Sequence, residues 1–138
     1  MEELRPKFGK VLLVLHFLVL FVAVVLLPPT VVAFQGVDMA ASPKFRQSMA
    51  FGMAMFALFG SFGYLMWMGF GWARYTAAFL LFGGGVFSVT FLDSYKGTAH
   101  LVVIAIIVLC LVVAAGLSFI KPIDDFIRDQ ERLRRLNR

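Results

Sequence analysis

The sequence predicts an all-α membrane protein: four transmembrane helices in an up-down-up-down bundle, followed by a C-terminal amphipathic cytoplasmic helix. Three observations predict this fold. Four stretches of 18 to 27 residues contain no Asp, Glu, Lys or Arg, and about 20 apolar helical residues cross the roughly 30 Å hydrocarbon core of a bilayer. The connections between the stretches are short, so consecutive helices should be antiparallel neighbours. The basic residues are concentrated on one side of the predicted membrane.

The first half of the chain supplies two of the predicted spans. Span 1 covers about residues 9–34, and Pro28 and Pro29 predict a kink or stop near its outer end, because proline cannot donate a helical hydrogen bond. Span 2 covers about 44–68. Its start is indicated by Ser42-Pro43, with serine as the N-cap and proline as the first helical residue.

The second half supplies the other two spans and the tail. Gly69-Phe70-Gly71 predicts a tight turn that opens span 3, at about 72–92. Span 4 covers about 98–120 and is followed by the tail, 121–138. These segments use nearly all of residues 1–138, so the sequence predicts a single domain.

Composition and charge limit the possible functions. The chain is 61% hydrophobic and only 15% charged, against about 45–50% and 25% in a typical soluble domain. A separate soluble catalytic module therefore has no room. We read the net charge of +5 as a report of orientation and not of a nucleic-acid partner, because lysine and arginine are retained on the cytoplasmic side.

The distribution of the basic residues predicts cytoplasmic termini and a bacterial inner membrane. Ten lie on the predicted cytoplasmic side: Arg5, Lys7, Lys10, Arg74, Lys121, Arg128, Arg132, Arg134, Arg135 and Arg138. Three lie on the other side: Lys44, Arg46 and Lys96.

Small residues recur at helical spacing in spans 2 and 3, where they let helix backbones approach closely in lipid. We expect them to form a helix-packing interface: Ala50, Ala54, Ala57, Gly60, Ser61, Gly63, Ala77, Gly84 and Ser88. Two interpretations stay open. The two spans pack on each other within one chain, or the residues receive a partner's helix or a second copy. The middle of span 3, Gly83–Gly85, predicts a kink or close packing against a phenylalanine.

A few polar residues are candidates for function. His16 is the one ionisable group well inside a span, where such residues are functional candidates by default; a structural hydrogen bond is the alternative. Asp93, Lys96 and His100 gather at the outer surface, with Asp93–Lys96 as an i,i+3 pair. They predict either a cap and turn, or a docking or ion-entrance site.

The tail reads as an amphipathic helix with two i,i+4 ion pairs, Asp124–Arg128 and Glu131–Arg135. Its basic residues predict contact with anionic lipid headgroups or with a cytoplasmic partner: Arg128, Arg132, Arg134 and Arg135.

The inventory of reactive groups predicts no enzyme, no cofactor and no metal site. There is one cysteine, and no pair of carboxylates lies inside a span. The two histidines are predicted near opposite ends of the bundle, too far apart to ligate one haem iron.

Size and span number resemble those of the small multidrug transporters, but the glutamate expected inside their first span has no counterpart between Glu3 and Asp38. The cysteine pair of a membrane disulfide oxidoreductase is also missing. Gly71-Trp72-Ala73-Arg74 resembles a turn in small four-span bacterial proteins of unassigned role; this resemblance covers four residues and implies no function.

These observations favour a non-catalytic interaction protein of the inner membrane. It would be an accessory subunit of a larger membrane complex, or an immunity-type protein that binds within the bilayer. The expected partners are the lipid bilayer and either another integral membrane protein or a second copy. A homo-oligomeric channel or small transporter is the alternative.

Overall fold

The computed structural model describes residues 4–36 and 43–137, and the regular elements in these two ranges are all helical. A π-helical segment, Val22–Leu26, joins the first two helices, and a short 3-10 helix, Leu92–Ser94, lies between the fourth and the fifth. The helices are α1 (Leu4–Phe21), α2 (Leu27–Phe34), α3 (Pro43–Trp67), α4 (Gly71–Val89), α5 (Gly97–Phe119) and α6 (Lys121–Leu136). The all-helical prediction is confirmed. The predicted N-cap, Ser42, lies outside the described residues; Pro43 itself is helical.

Three of these segments are long and apolar enough to cross a membrane: Lys7–Phe34, Pro43–Trp67 and Gly97–Phe119. This is compatible with a membrane protein. Helix α4 is not among the three, because Arg74 and the glycines at 83–85 lower its hydropathy. The fourth span therefore stays a prediction.

The prolines of the first span produce a π-helical turn and not a stop. Pro28 and Pro29 cannot donate hydrogen bonds to the preceding turn. Just before them the helix widens, and the Leu27 N–H bonds to the Val22 carbonyl. The helix then continues to Phe34. Gly52 of α3 packs directly on the Val24 carbonyl, so this position has no room for a side chain.

Helices α1 and α3 run antiparallel. Lys10 lies over the Trp67 ring at one end, while Phe21 meets Phe56 edge to face at the other, with ring centroids 5.0 Å apart.

Helix α4 packs mainly on α5 and stays continuous through its three glycines. A Cβ on Gly85 would lie 3.2 Å from Leu111 Cδ2. The predicted close packing is therefore found, but the neighbour is a leucine where a phenylalanine was expected.

Helix α6 closes one end of the bundle. Its buried residues Ile123, Phe126 and Ile127 pack chiefly on α1. The α3–α4 turn completes this end: Gly69 has a φ of 81°, a backbone conformation that favours glycine, and its Cα lies against the α6 backbone at Glu131.

Candidate functional site

A buried ion pair joins α4 to α6. Arg74, in the first turn of α4, is only 4% exposed, and its Nη2 lies 3.0 Å from Asp124 Oδ1 in the first turn of α6. The same Nη2 donates to the Tyr75 hydroxyl at 2.5 Å. A buried arginine requires such partners, because an unpaired charge in a low-dielectric interior is strongly unfavourable.

From the sequence, Arg74 was interpreted only as a marker of orientation and Asp124 only as the i,i+4 partner of Arg128. Asp124 is indeed also bonded to Arg128, with Nε 3.1 Å from Oδ2, as the i,i+4 spacing predicts. One sequence feature pointed to the Arg74–Asp124 pair: Arg74 is the only Asp, Glu, Lys or Arg between residues 47 and 92. Its partner could not be chosen from the sequence, since several acidic residues follow span 4.

The apolar face of α6 is covered largely by the chain itself. Phe126 packs edge to face on Trp67, with centroids 5.5 Å apart, and the Arg134 guanidinium lies 3.9 Å above the Phe70 ring. Contact with lipid headgroups or with a partner was predicted for the basic residues of this helix. In the structure only the distal apolar residues Leu133 and Leu136 are left exposed, at 47% and 75%.

The polar face of α6 stays outward. Arg128, Arg132 and Arg135 are exposed and follow one another at spacings of four and three residues, so they share one helix face. Arg135 Nη2 donates to Glu131 Oε1 at 2.6 Å, as predicted. This hydrogen bond and the arginine's charge lower the pKa of Glu131 below its usual value of 4.5.

The small-residue row of α3 faces away from the rest of the chain. Ala50, Ala54, Ala57 and Ser61 are all exposed, and the Ser61 hydroxyl donates to the Ala57 carbonyl of its own helix at 2.9 Å. Of the two interpretations, packing of this row on α4 within the chain is not what the structure has. We call these four residues the α3 face.

The other small residues divide between interior and surface. Ala77 is fully buried in the core, and Gly63 packs tightly on the Phe17 ring. A Cβ added to Gly60 or to Gly84 would meet no other atom within 4 Å, so both positions are open. Ser88 is half-buried and donates to the Gly84 carbonyl at 2.7 Å.

His16 makes a structural contact between α1 and α5. Its Nδ1 lies 2.7 Å from the Leu12 carbonyl and must donate to it, which leaves Nε2 unprotonated in the neutral ring. Nε2 packs on Gly116, where any side chain would overlap the imidazole. His100 lies 16 residues before Gly116 on α5, about 24 Å away at 1.5 Å per residue, so the expected wide separation of the two histidines is found.

The outer polar cluster is looser than predicted. Asp93 lies in the 3-10 helix and Lys96 is an extended residue before α5, so the expected helical i,i+3 geometry does not exist. Neither residue takes part in an ion pair within the described residues. His100 Nδ1 lies 3.1 Å from the Leu92 carbonyl, which fixes the turn to α5.

Across residues 4–36 and 43–137, no three His, Cys, Asp or Glu side chains lie close enough together to hold a metal ion. No known protein family, curated protein or solved structure matches this chain.

Proposed function

We propose that the protein is a non-catalytic interaction protein of a bacterial inner membrane, with four spans and both termini cytoplasmic. It would act as an accessory subunit of a larger membrane complex or as an immunity-type binder within the bilayer. The observation that carries this proposal is the outward orientation of the α3 face. Small residues permit close helix approach in lipid, but here none of the helices within residues 4–36 and 43–137 occupies that position.

The arrangement of the ends supports the orientation part of the proposal. Gly9 of α1 packs on Pro122 and Phe126 of α6, so the basic residues in the first turns of α1 and those of the tail are at one end of the molecule. Retention of lysine and arginine on the cytoplasmic side then favours cytoplasmic termini. In this arrangement α4 completes the fourth crossing between the α3–α4 turn and the start of α5.

The amount of exposed apolar surface supports a lipid setting for all the long helices, α4 included. Phe79 and Phe87 on α4 are 75% and 65% exposed, and Phe119 at the end of α5 is 85% exposed. Contiguous exposed apolar surface on this scale marks a membrane or protein contact.

Photo-crosslinking in intact membranes tests the partner contact. A photoreactive residue at Ala57 should crosslink to a second integral membrane protein of defined mass, because the α3 face is exposed. The same residue at Ala105, an exposed small position on α5, serves as the matched control and should give lipid adducts only. Equal adducts at both positions, or lipid alone at Ala57, would refute the proposed contact.

A homo-oligomeric channel is the second candidate, favoured by one observation. A cavity of about 340 Å³ opens between α2, α3, α4 and α5, and its lining includes the polar residues Gln35, Ser48, Ser88 and Tyr95. Ion flux through the parent protein in proteoliposomes would support the channel if the Ser88→Leu variant abolishes that flux. His16 belongs to the α1–α5 contact and not to this cavity. Ion flux that persists in His16→Ala would therefore indicate a pore through the cavity, whereas flux lost in His16→Ala would indicate a pore that uses the histidine.

A further inference from the structure

An apolar groove runs along the outside of the bundle between α1 and α3. Its volume is about 730 Å³, within the range of roughly 300–1,000 Å³ found for small-molecule sites. Its walls are aliphatic and aromatic, and Gly60 forms part of its floor, where a side chain would meet no other atom within 4 Å. The lining residues are Leu13, Val14, Phe17, Leu18, Phe21, Phe56, Gly60, Gly63, Tyr64 and Trp67.

The groove has the length of one membrane leaflet. On α3 it extends from Phe56 to Trp67, about 17 Å at 1.5 Å per residue. The edge-to-face contact of Phe21 with Phe56 lies at the end of this stretch that is farther from Trp67. Half of a roughly 30 Å hydrocarbon core is about 15 Å, so the groove matches the depth of a single acyl chain. A transmembrane helix would need a face that continues through both leaflets.

Positive charge stands at the open end of the groove. The Lys10 Nζ lies 4.6 Å from the centroid of the Trp67 ring, which lines the groove. Lys7 lies three residues earlier and is also exposed, so both lysines continue the helix face that carries Val14 and Phe21. Trp67 and Tyr64 are aromatic residues of the type that prefers the headgroup level.

We propose that this groove binds an anionic phospholipid, with one acyl chain between α1 and α3 and its phosphate at Lys7 and Lys10. The charge favours this occupant over a second copy. In a two-fold dimer the same patch faces itself, which would bring the lysine pairs of the two copies together. This lipid site is independent of the proposed partner contact at the α3 face.

Tryptophan quenching can measure this binding, because Trp67 lies in the groove. Trp72→Phe removes the other tryptophan, which lies outside it. This single-tryptophan protein is placed in vesicles of unlabelled phosphatidylcholine, and brominated phosphatidylglycerol or brominated phosphatidylcholine is titrated in. We expect phosphatidylglycerol to quench Trp67 at a lower mole fraction, by about fivefold for each lysine that meets the phosphate.

Charge variants test the headgroup contact. Lys7→Gln with Lys10→Gln should make the two brominated lipids equally effective quenchers. Lys44→Gln with Lys96→Gln is the matched control, because these lysines lie at the opposite end of the helices, and it should keep the preference. Equal quenching by both lipids in the parent protein, or a preference that survives loss of Lys7 and Lys10, would overturn the proposal.

A groove-filling variant tests the acyl-chain contact. Gly60→Leu places a side chain in the groove without an intrachain clash, so the protein should fold while quenching by phosphatidylglycerol falls to the level of phosphatidylcholine. Gly84→Leu, at an equally open glycine on α4, should change nothing. If Gly60→Leu instead converts an oligomer to a monomer and leaves lipid preference intact, the occupant is a second copy and the proposal fails.

Discussion

At the residue scale, the Arg74–Asp124 pair links α6, which packs chiefly on α1, to the start of α4. Arg74 is almost fully buried, whereas Asp124 retains 26% exposure and also binds Arg128. The guanidinium Nε of Arg74 has no hydrogen-bond partner among the described residues. Asp124 and Tyr75 are therefore the groups that stabilise the buried positive charge. Removal of the carboxylate charge would leave a buried cation with neutral acceptors only.

Asp124→Asn should therefore lower the free energy of unfolding by about 1.5–3 kcal/mol, the range for hydrogen bonds to charged groups. Thermal or denaturant unfolding in detergent measures the change. Arg128→Gln is the control, since it removes a 75% exposed partner of the same carboxylate and should cost less than about 1 kcal/mol. Similar losses for both variants would contradict a special role for the buried pair.

Arg74 also shows which side-chain contacts cannot be predicted from the sequence. The i,i+4 pairs of the tail could be predicted, because helical geometry alone places their side chains together. The pair between residues 74 and 124 depends on where α6 docks, and that is set by packing on α1.

At the element scale, α6 has two halves with different support. Its first half is buried at Ile123, Phe126 and Ile127, while its last turns project Leu133 and Leu136 outward. The distal half is held by Arg134 over Phe70 and by the Glu131–Arg135 hydrogen bond. Its order should therefore respond to the charge of Glu131.

Because the pKa of Glu131 is lowered in the folded state, the stabilisation is present above the ordinary carboxyl pKa and is lost as pH falls through the lowered value. We expect amides in the last two turns of α6 to lose protection from hydrogen exchange below about pH 4.5, relative to the intrinsic exchange rates. In Glu131→Gln the acid-dependent loss should be absent. An unchanged acid response in that variant would mean that another group controls the tail.

Helix positions were the most predictable feature of the elements. The lengths of the charge-free stretches and the glycine turn at 69–71 indicate where helices lie and where they end, and these signals are local. The π-helical turn at Val22–Leu26 was not predicted, because Pro28 and Pro29 indicate only that hydrogen bonds are lost. Whether the helix stops, kinks or widens depends on its neighbours, here Gly52 against the Val24 carbonyl.

At the scale of the whole molecule, the sequence identified the small residues of α3 but not the direction in which they face. Helix periodicity groups Ala50, Ala54, Ala57 and Ser61 on one side. In a membrane protein the interior and the lipid face are both apolar, so composition cannot tell which side is inside. In the structure α3 packs mainly on α2, α4 and the π-helical segment, and these contacts leave the row exposed.

The proposed function requires that this exposed row contacts a partner protein. The most direct test is to purify the protein in mild detergent from its native membrane, without crosslinking, and to measure the mass and composition of the particle. We expect a stoichiometric complex with a different integral membrane protein. A pure homo-oligomer or a lone monomer would contradict it, and a homo-oligomer would make the channel the leading function.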